Sequence, residues 1–143
     1  MINTKNITEA KKLIKKSKSP IIIKSQNTTF DRKIIESGNF EILVSPETHG
    51  KKDHPKYLYS GLNHIIVKIA TKNKIAIGID LKNIQSLEKK QKAQTLARIR
   101  QNIKVCRKAG CKLVLLNYKD KKDAQNLLLS LGASTKQARE AIN

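Results

Sequence analysis

Tryptophan is absent from this chain of 143 residues, and the only aromatics are two phenylalanines and three tyrosines. Five scattered rings (Phe30, Phe40, Tyr57, Tyr59 and Tyr118) are too few for a base-stacking platform of the RNA-recognition-motif or single-strand-binding type. Any contact with nucleic acid is therefore expected to run through phosphates and shape. Cysteine is nearly absent too: Cys106 and Cys111 have no neighbouring His to complete a metal set, and they read as core cysteines of a reducing, cytoplasmic compartment. No apolar run approaches about 18 residues, and neither a signal peptide nor a basic amphipathic helix with bulky aromatics is present, which argues against a membrane partner. G-x-S-x-G, Walker and G-x-G-x-x-G loops are missing, as are the H-x-H and H-E-x-x-H spacings of hydrolytic metal centres.

Acid is also scarce. Eleven Asp and Glu face thirty Lys and Arg, giving a net charge of +19. Few domains of this size carry such self-repulsion without a polyanion to neutralise it, and nucleic acid is the first candidate. Only five of the thirty cations are arginines, so lysine-rich codon usage with plainly solvated lysines is the competing account. The length fits one domain, residues 1–143, with a core of its own.

Apolar spacing switches repeatedly between helical and strand periods, the pattern of alternating α and β elements. A helix over 6–17 ends at Ser19-Pro20 and is followed by a strand at Ile21-Ile22-Ile23. A short helix from Asp31 to Ser37 closes at Gly38, and Phe40 to Val44 forms the second strand. "SPETHGKKDHPKYLYSG" then carries two prolines and no periodicity over about 17 residues, which predicts a basic mobile loop at about 45–60. Helix 61–72 buries Leu62, Ile65, Ile66, Ile69 and Ala70, and "IAIGIDL" is a strand apolar enough to be covered on both faces. The longest helix is predicted from Ser86 to Ala109, with Gly110 as its stop. "CKLVLLN" follows as the fourth strand, then a helix capped by Asp120 or Asp123 and ended by Gly132, and a last helix opened by Ser134. Helix-linked strands imply parallel pairing, but a closed barrel takes eight strands, so four leave open edges.

The carboxyl ends of those strands hold Ser25-Gln26-Asn27, Ser45, Asp80 and Asn117-Tyr118, a polar rim with little catalytic equipment. Asp80 reads as a helix cap or a lysine partner more readily than as a metal ligand. His49, Asp53, His54 and Asp80 are the only residues from which a degenerate metal phosphoesterase could be built. Basic groupings are stronger. Arg100, Lys104 and Arg107 share one stripe of the long helix, suited to a phosphate backbone if not simply solvated. Lys51, Lys52 and Lys56 lie in "KKDHPK", just ahead of the Asn63-His64 turn, and Arg32 offers a guanidinium fork for bidentate phosphate contact.

"SGLNHIIVKIATKNKIAIGIDL", preceded by "NTTFDRKIIESGNFEILVSPE" and the basic arm, resembles the central part of protein component 3 of archaeal ribonuclease P, the thirty-kilodalton subunit family. "ARIRQNIKVCRKAGCKLVLLN" and "LLLSLGASTKQAREAI" resemble its last third. The resemblance implies an α/β fold of parallel strands alternating with helices, TIM-barrel-like and related to metal-dependent PHP phosphoesterases without their metal ligands. It also implies a protein that assists an RNA catalyst in removing the 5′ leader from precursor tRNA, beside a second small protein subunit. No catalytic residue, metal or cofactor is expected of the chain itself. Arg32 matches the Arg of the family's Asn-Arg pair, and Gly61, Asn63 and His64 match its Gly-Leu-Asn-His. A helix N-terminus beside His64 and a basic arm then reads as an RNA phosphate site, while Ser60 or Asn63 can cap that helix.

Two departures stand out: Asp31 replaces the family's Asn, and the chain starts about where the third strand-helix unit would stand. An incomplete barrel follows, its open edge covered by self-association or by the partner protein. The expected RNA-binding set is Arg32, Lys51, Lys52, Lys56, Asn63, His64, Arg100, Lys104 and Arg107. Another structured-RNA-binding α/β protein, of ribosomal or kink-turn type, is the alternative.

Overall fold

The structure is a computed structural model that describes residues 1–49 and 52–142. Asn6 opens α1 (Ile7–Lys16) by accepting the N–H groups of Thr8 and Glu9 on its side chain, and the chain then enters β1 (Ile22–Lys24). Helix α2 (Thr28–Ser37) starts three residues before the expected Asp31, because Asn27 is its cap and accepts from Phe30 N at 2.8 Å. After β2 (Ile42–Val44) a single 3₁₀ turn, Pro46–Thr48, begins the long connection. Helix α3 (His64–Lys72) leads to β3 (Ala76–Asp80).

The helix predicted to begin at Ser86 starts three residues later, and a short helix not expected from the sequence precedes it. Asp80 caps a short α4 (Leu81–Gln85), which closes at Ser86, and α5 runs from Lys89 to Ala109 with Gly110 in the left-handed conformation at its end. The break follows from Ser86, whose hydroxyl donates back to Asn83 O at 2.7 Å and competes with helix propagation. Strand β4 (Leu113–Leu116), α6 (Lys121–Ser130) and α7 (Thr135–Ala141) complete the chain. Asp120, not Asp123, caps α6, and Ser134 with Gln137 forms a capping box on α7.

All four strands are parallel and stand in the order β1-β2-β3-β4, with Leu43 opposite Ile23 and Ile77, and Ile77 opposite Leu113. Sequential parallel order is that of consecutive barrel strands, but β1 and β4 are not paired and the sheet is open. Ile2 adds one bridge to the outer side of β1, its N–H donating to Ile22 O and its carbonyl accepting from Lys24 N, both at 2.8 Å.

Alternation along the strands sends Ile23, Leu43, Ile77, Ile79, Leu113 and Leu115 into one core with Phe30, Ile34, Ile66, Val67, Ile99, Ile103 and Leu128. Cys106 and Cys111 are buried there as well. On the other face Gly78 lies against Ile42 and Val44. A Cβ at Gly78 would come within 2.8 Å of the Ile42 methyl, so the close approach of β2 and β3 side chains requires glycine. Helix α1 packs on α2, α2 on α3, and α3 on α5, so the N-termini of α2 and α3 and the carboxyl ends of β1 and β2 fall at one end of the molecule. Among the described residues no helix is long and apolar enough to cross a membrane.

Candidate nucleic-acid interface

At that end the scarce acids are engaged by the protein itself. Asp31, fully buried on α2, accepts from Ser25 Oγ at 2.5 Å and from Gln26 N at 3.1 Å. His49 Nε2 lies 2.9 Å from Asp31 Oδ2 and 2.6 Å from Ser25 Oγ. Asp31 is thus the hub joining the end of β1 to the turn after β2. Lys24 donates to Thr48 Oγ1 at 2.8 Å. Its partial burial pulls the ammonium below its ordinary pKa, against the pull of Glu47, Asp80 and Asp31. Glu47 is buried, its Oε1 has no partner among the described residues, and burial pushes its carboxyl up to about 7.

His49, Asp53, His54 and Asp80 do not assemble. Asp53 binds α5, His54 Nδ1 accepts from Lys56 N, and Asp80 caps α4 and accepts from Asn117 Nδ2 at 2.8 Å. Among the described residues no cluster of three His, Cys, Asp or Glu could hold a metal ion.

The described residues of the segment at 45–60 are laced to one edge of α5. Arg98, 8 % exposed, donates Nη1 to the Glu47 carbonyl at 3.3 Å, and Nε and Nη2 to Asp53 Oδ1 at 3.1 and 3.0 Å. Gln94 donates to the other Asp53 oxygen. That bond first, then the Tyr59 N–H and Arg98, holds the Asp53 carboxyl below its ordinary pKa. Gln101 Nε2 reaches Leu58 O and Ser60 Oγ, and Asn102 Nδ2 reaches Ser60 O.

Gly61 follows with φ +84°, and a Cβ there would lie 1.9 Å from the Pro46 carbonyl oxygen. Only glycine lets the start of α3 close on the 3₁₀ turn. Asn63, not Ser60, then caps α3, accepting from Ile65 N and Ile66 N at 2.9 Å each. That accounts for the Ser-Gly-Leu-Asn-His run: a buried serine, a required glycine, a core leucine and a capping asparagine, with His64 left exposed.

The expected contact residues separate into groups. Asn63 and His64 line a cavity of about 730 Å³ together with Lys68 and Lys108. Arg100, Lys104 and Arg107 line an adjoining groove of about 360 Å³ that shares Leu58 and Gln101 with it. Two of these cations also serve the fold, since Arg100 Nη2 donates to Ser130 O at 3.1 Å and Arg107 Nη1 to Gly132 O at 2.9 Å, both at the C-terminal end of α6. Arg32 is exposed and paired with Glu36 at 3.0 Å on the same helix. Lys52 and Lys56 are exposed in the loop, and Lys51 lies outside the described residues. Arg98, Lys68, Lys108 and the buried Glu47 were not singled out in the sequence. Arginine's rarity was the one signal that could have drawn notice to Arg98.

These features define a class: an open, sequentially ordered parallel α/β sheet with a hydrogen-bonded polar mouth around Asp31 and a cationic outer helix face. No protein-family model matches the chain. Ribonuclease P protein component 3 of Methanococcus maripaludis strain C6 is 24% identical over 80% of the chain and 47% of its own length. The protein of that name from Methanothermobacter thermautotrophicus is 24% identical over 99% of the chain and 59% of its own. In fold, the chain matches a subunit in a cryo-EM structure of archaeal ribonuclease P with mature tRNA, with a TM-score of 0.80 and 21% identity over 98% of this chain and 62% of that one. The resemblance read from the sequence is therefore borne out, and so is the open α/β fold. The chain spans about half the length of the first of these relatives.

Proposed function

We propose that the chain is a protein subunit of ribonuclease P that binds and stabilises the catalytic RNA for 5′-leader removal from precursor tRNA, with no catalytic site of its own. The observation that carries this is a net charge of +19 on a chain similar over 80% of its length to relatives named ribonuclease P protein component 3. Its direct partner is the ribonuclease P RNA, with precursor tRNA engaged indirectly and a second small protein subunit alongside. That subunit, or a second copy of this chain, covers the open sheet. Arg32, Lys51, Lys52, Lys56, His64, Arg100, Lys104 and Arg107 are the proposed RNA contacts, and Asn63 acts by fixing the start of α3. The setting is cytoplasmic.

The test is affinity capture of the chain from its source, with sequencing of bound RNA and identification of co-purifying proteins. Recovery of ribonuclease P RNA with a second small protein supports the reading. Ribosomal or mixed RNA would move the assignment to a different structured-RNA-binding protein, an outcome that the half-length match to its relatives keeps in view. Binding should weaken with salt by about 0.7–0.9 log units per tenfold change for each phosphate contact, and a flat response would count against RNA binding altogether.

A further inference from the structure

The composition argues against a base-stacking surface, yet the fold gathers three rings in the segment before α3. His54 and Tyr57 stack with centroids 4.4 Å apart and planes 9° from parallel, and Tyr59 meets Tyr57 edge-on at 5.8 Å. A tight turn holds the stack, with Tyr57 N donating to His54 O at 3.3 Å and Lys56 N to His54 Nδ1 at 3.1 Å. Tyr57 is 53% exposed and Tyr59 39%, so neither ring is a core residue.

Both tyrosines line the cavity of about 730 Å³ beside α3 and α5, within the range of about 300–1,000 Å³ usual for small-ligand sites. Lys68 from α3 and Lys108 from α5 also line it, and no carboxylate does among the described residues. Stacked rings bordering a cavity with cations and no acid match a nucleotide: the rings offer π-faces to a base and the ammonium groups meet its phosphates. The neighbouring groove of Arg100, Lys104 and Arg107 continues the cationic surface, so a strand entering the cavity stays in a favourable field.

We propose that this cavity holds an unpaired nucleotide of an RNA strand, its base stacked on Tyr57 and Tyr59 and its phosphates at Lys68 and Lys108. The proposal rests on the RNA-binding reading and adds to it a preference for single-stranded over duplex RNA at this site.

The chain's own fluorescence tests it, because there is no tryptophan and two of the three tyrosines stand at the cavity. A ten-nucleotide oligouridylate and a blunt RNA duplex of equal phosphate count are titrated into the full chain at low salt. The single strand should quench tyrosine emission strongly and the duplex weakly. The double variant Tyr57→Leu, Tyr59→Leu should bind the single strand about tenfold more weakly, within the range measured for loss of one stacked base. Its duplex affinity and urea midpoint should be unchanged.

Unquenched binding, or equal losses on both RNAs, would overturn the nucleotide site and leave the RNA-binding reading standing. Failure to bind either RNA would remove both. Emission that changes with protein concentration in the absence of RNA would show the rings covered by a second copy, and would also overturn the proposal.

Discussion

Arg98 and Arg100 stand two residues apart on α5 and have different fates. Arg98 is buried, with Asp53 and the Glu47 carbonyl around its guanidinium. Arg100 is exposed and gives one N–H to the Ser130 carbonyl while the rest of its fork faces the groove. One edge of the helix therefore uses its cation to hold a loop, and the other presents cations to whatever lies outside. In a chain with eleven acids against thirty bases, the partly buried Asp53 is what commits Arg98 to the fold.

The sharpest way to break the inner edge is Gly61→Ala. The residue has φ +84° and its Cβ would strike the Pro46 oxygen, so strain and overpacking together should cost about 4 kcal/mol in urea unfolding. Arg98→Ala comes next, at about 3 kcal/mol, because the Glu47 carbonyl loses a donor and Asp53 loses its cation, keeping only Gln94 and the Tyr59 N–H. Arg100→Ala should move stability by only about 0.5 kcal/mol. Equal losses at the two arginines would dissolve the distinction.

Glu47 gives the inner edge a pH signature. Its folded pKa, about 7, lies above its ordinary 4.5, so the folded state holds the proton more tightly. The resulting stability is fully present below pH 4.5 and lost as pH rises through 7, a change of about 3 kcal/mol. Asp53, whose pKa is lowered, works in the opposite sense and outside this window, losing its contribution as pH falls below 3.8. Glu47→Gln should abolish the loss between pH 4.5 and 7, which thermal melts across that range would register.

A stability effect well below that of the inner edge is expected from neutralising Arg100, Lys104 and Arg107 together as glutamines. The unfolding free energy in urea should fall by about 1 kcal/mol, for the carbonyl bonds of the two arginines. The slope of log affinity for RNA against log salt should become shallower by about 2. A large midpoint shift with an unchanged slope would make the outer stripe structural as well.

Much of this architecture is visible in the sequence. The strand and helix periods place every strand within a few residues, and Gly110 and Ser134 mark the helix ends where they occur. The short α4 is hidden because Leu81 reads as the end of the preceding strand, and its stop at Ser86 acts through a local back-bond and not through a Gly or Pro. Arg98 could not be told from Arg100 by type or spacing, since its carboxylate partner lies 45 positions away in a segment without periodicity. Tyr57 and Tyr59 likewise read as scattered rings, and His54 as a weak metal-ligand candidate, because only the turn that stacks them brings the three together.

The guanidinium of Arg98 also acts as a clasp. It binds the chain at the Glu47 carbonyl and again at Asp53, so one side chain couples two positions six apart in sequence. Losing it frees both contacts at once, so the two attachments are gained or lost together.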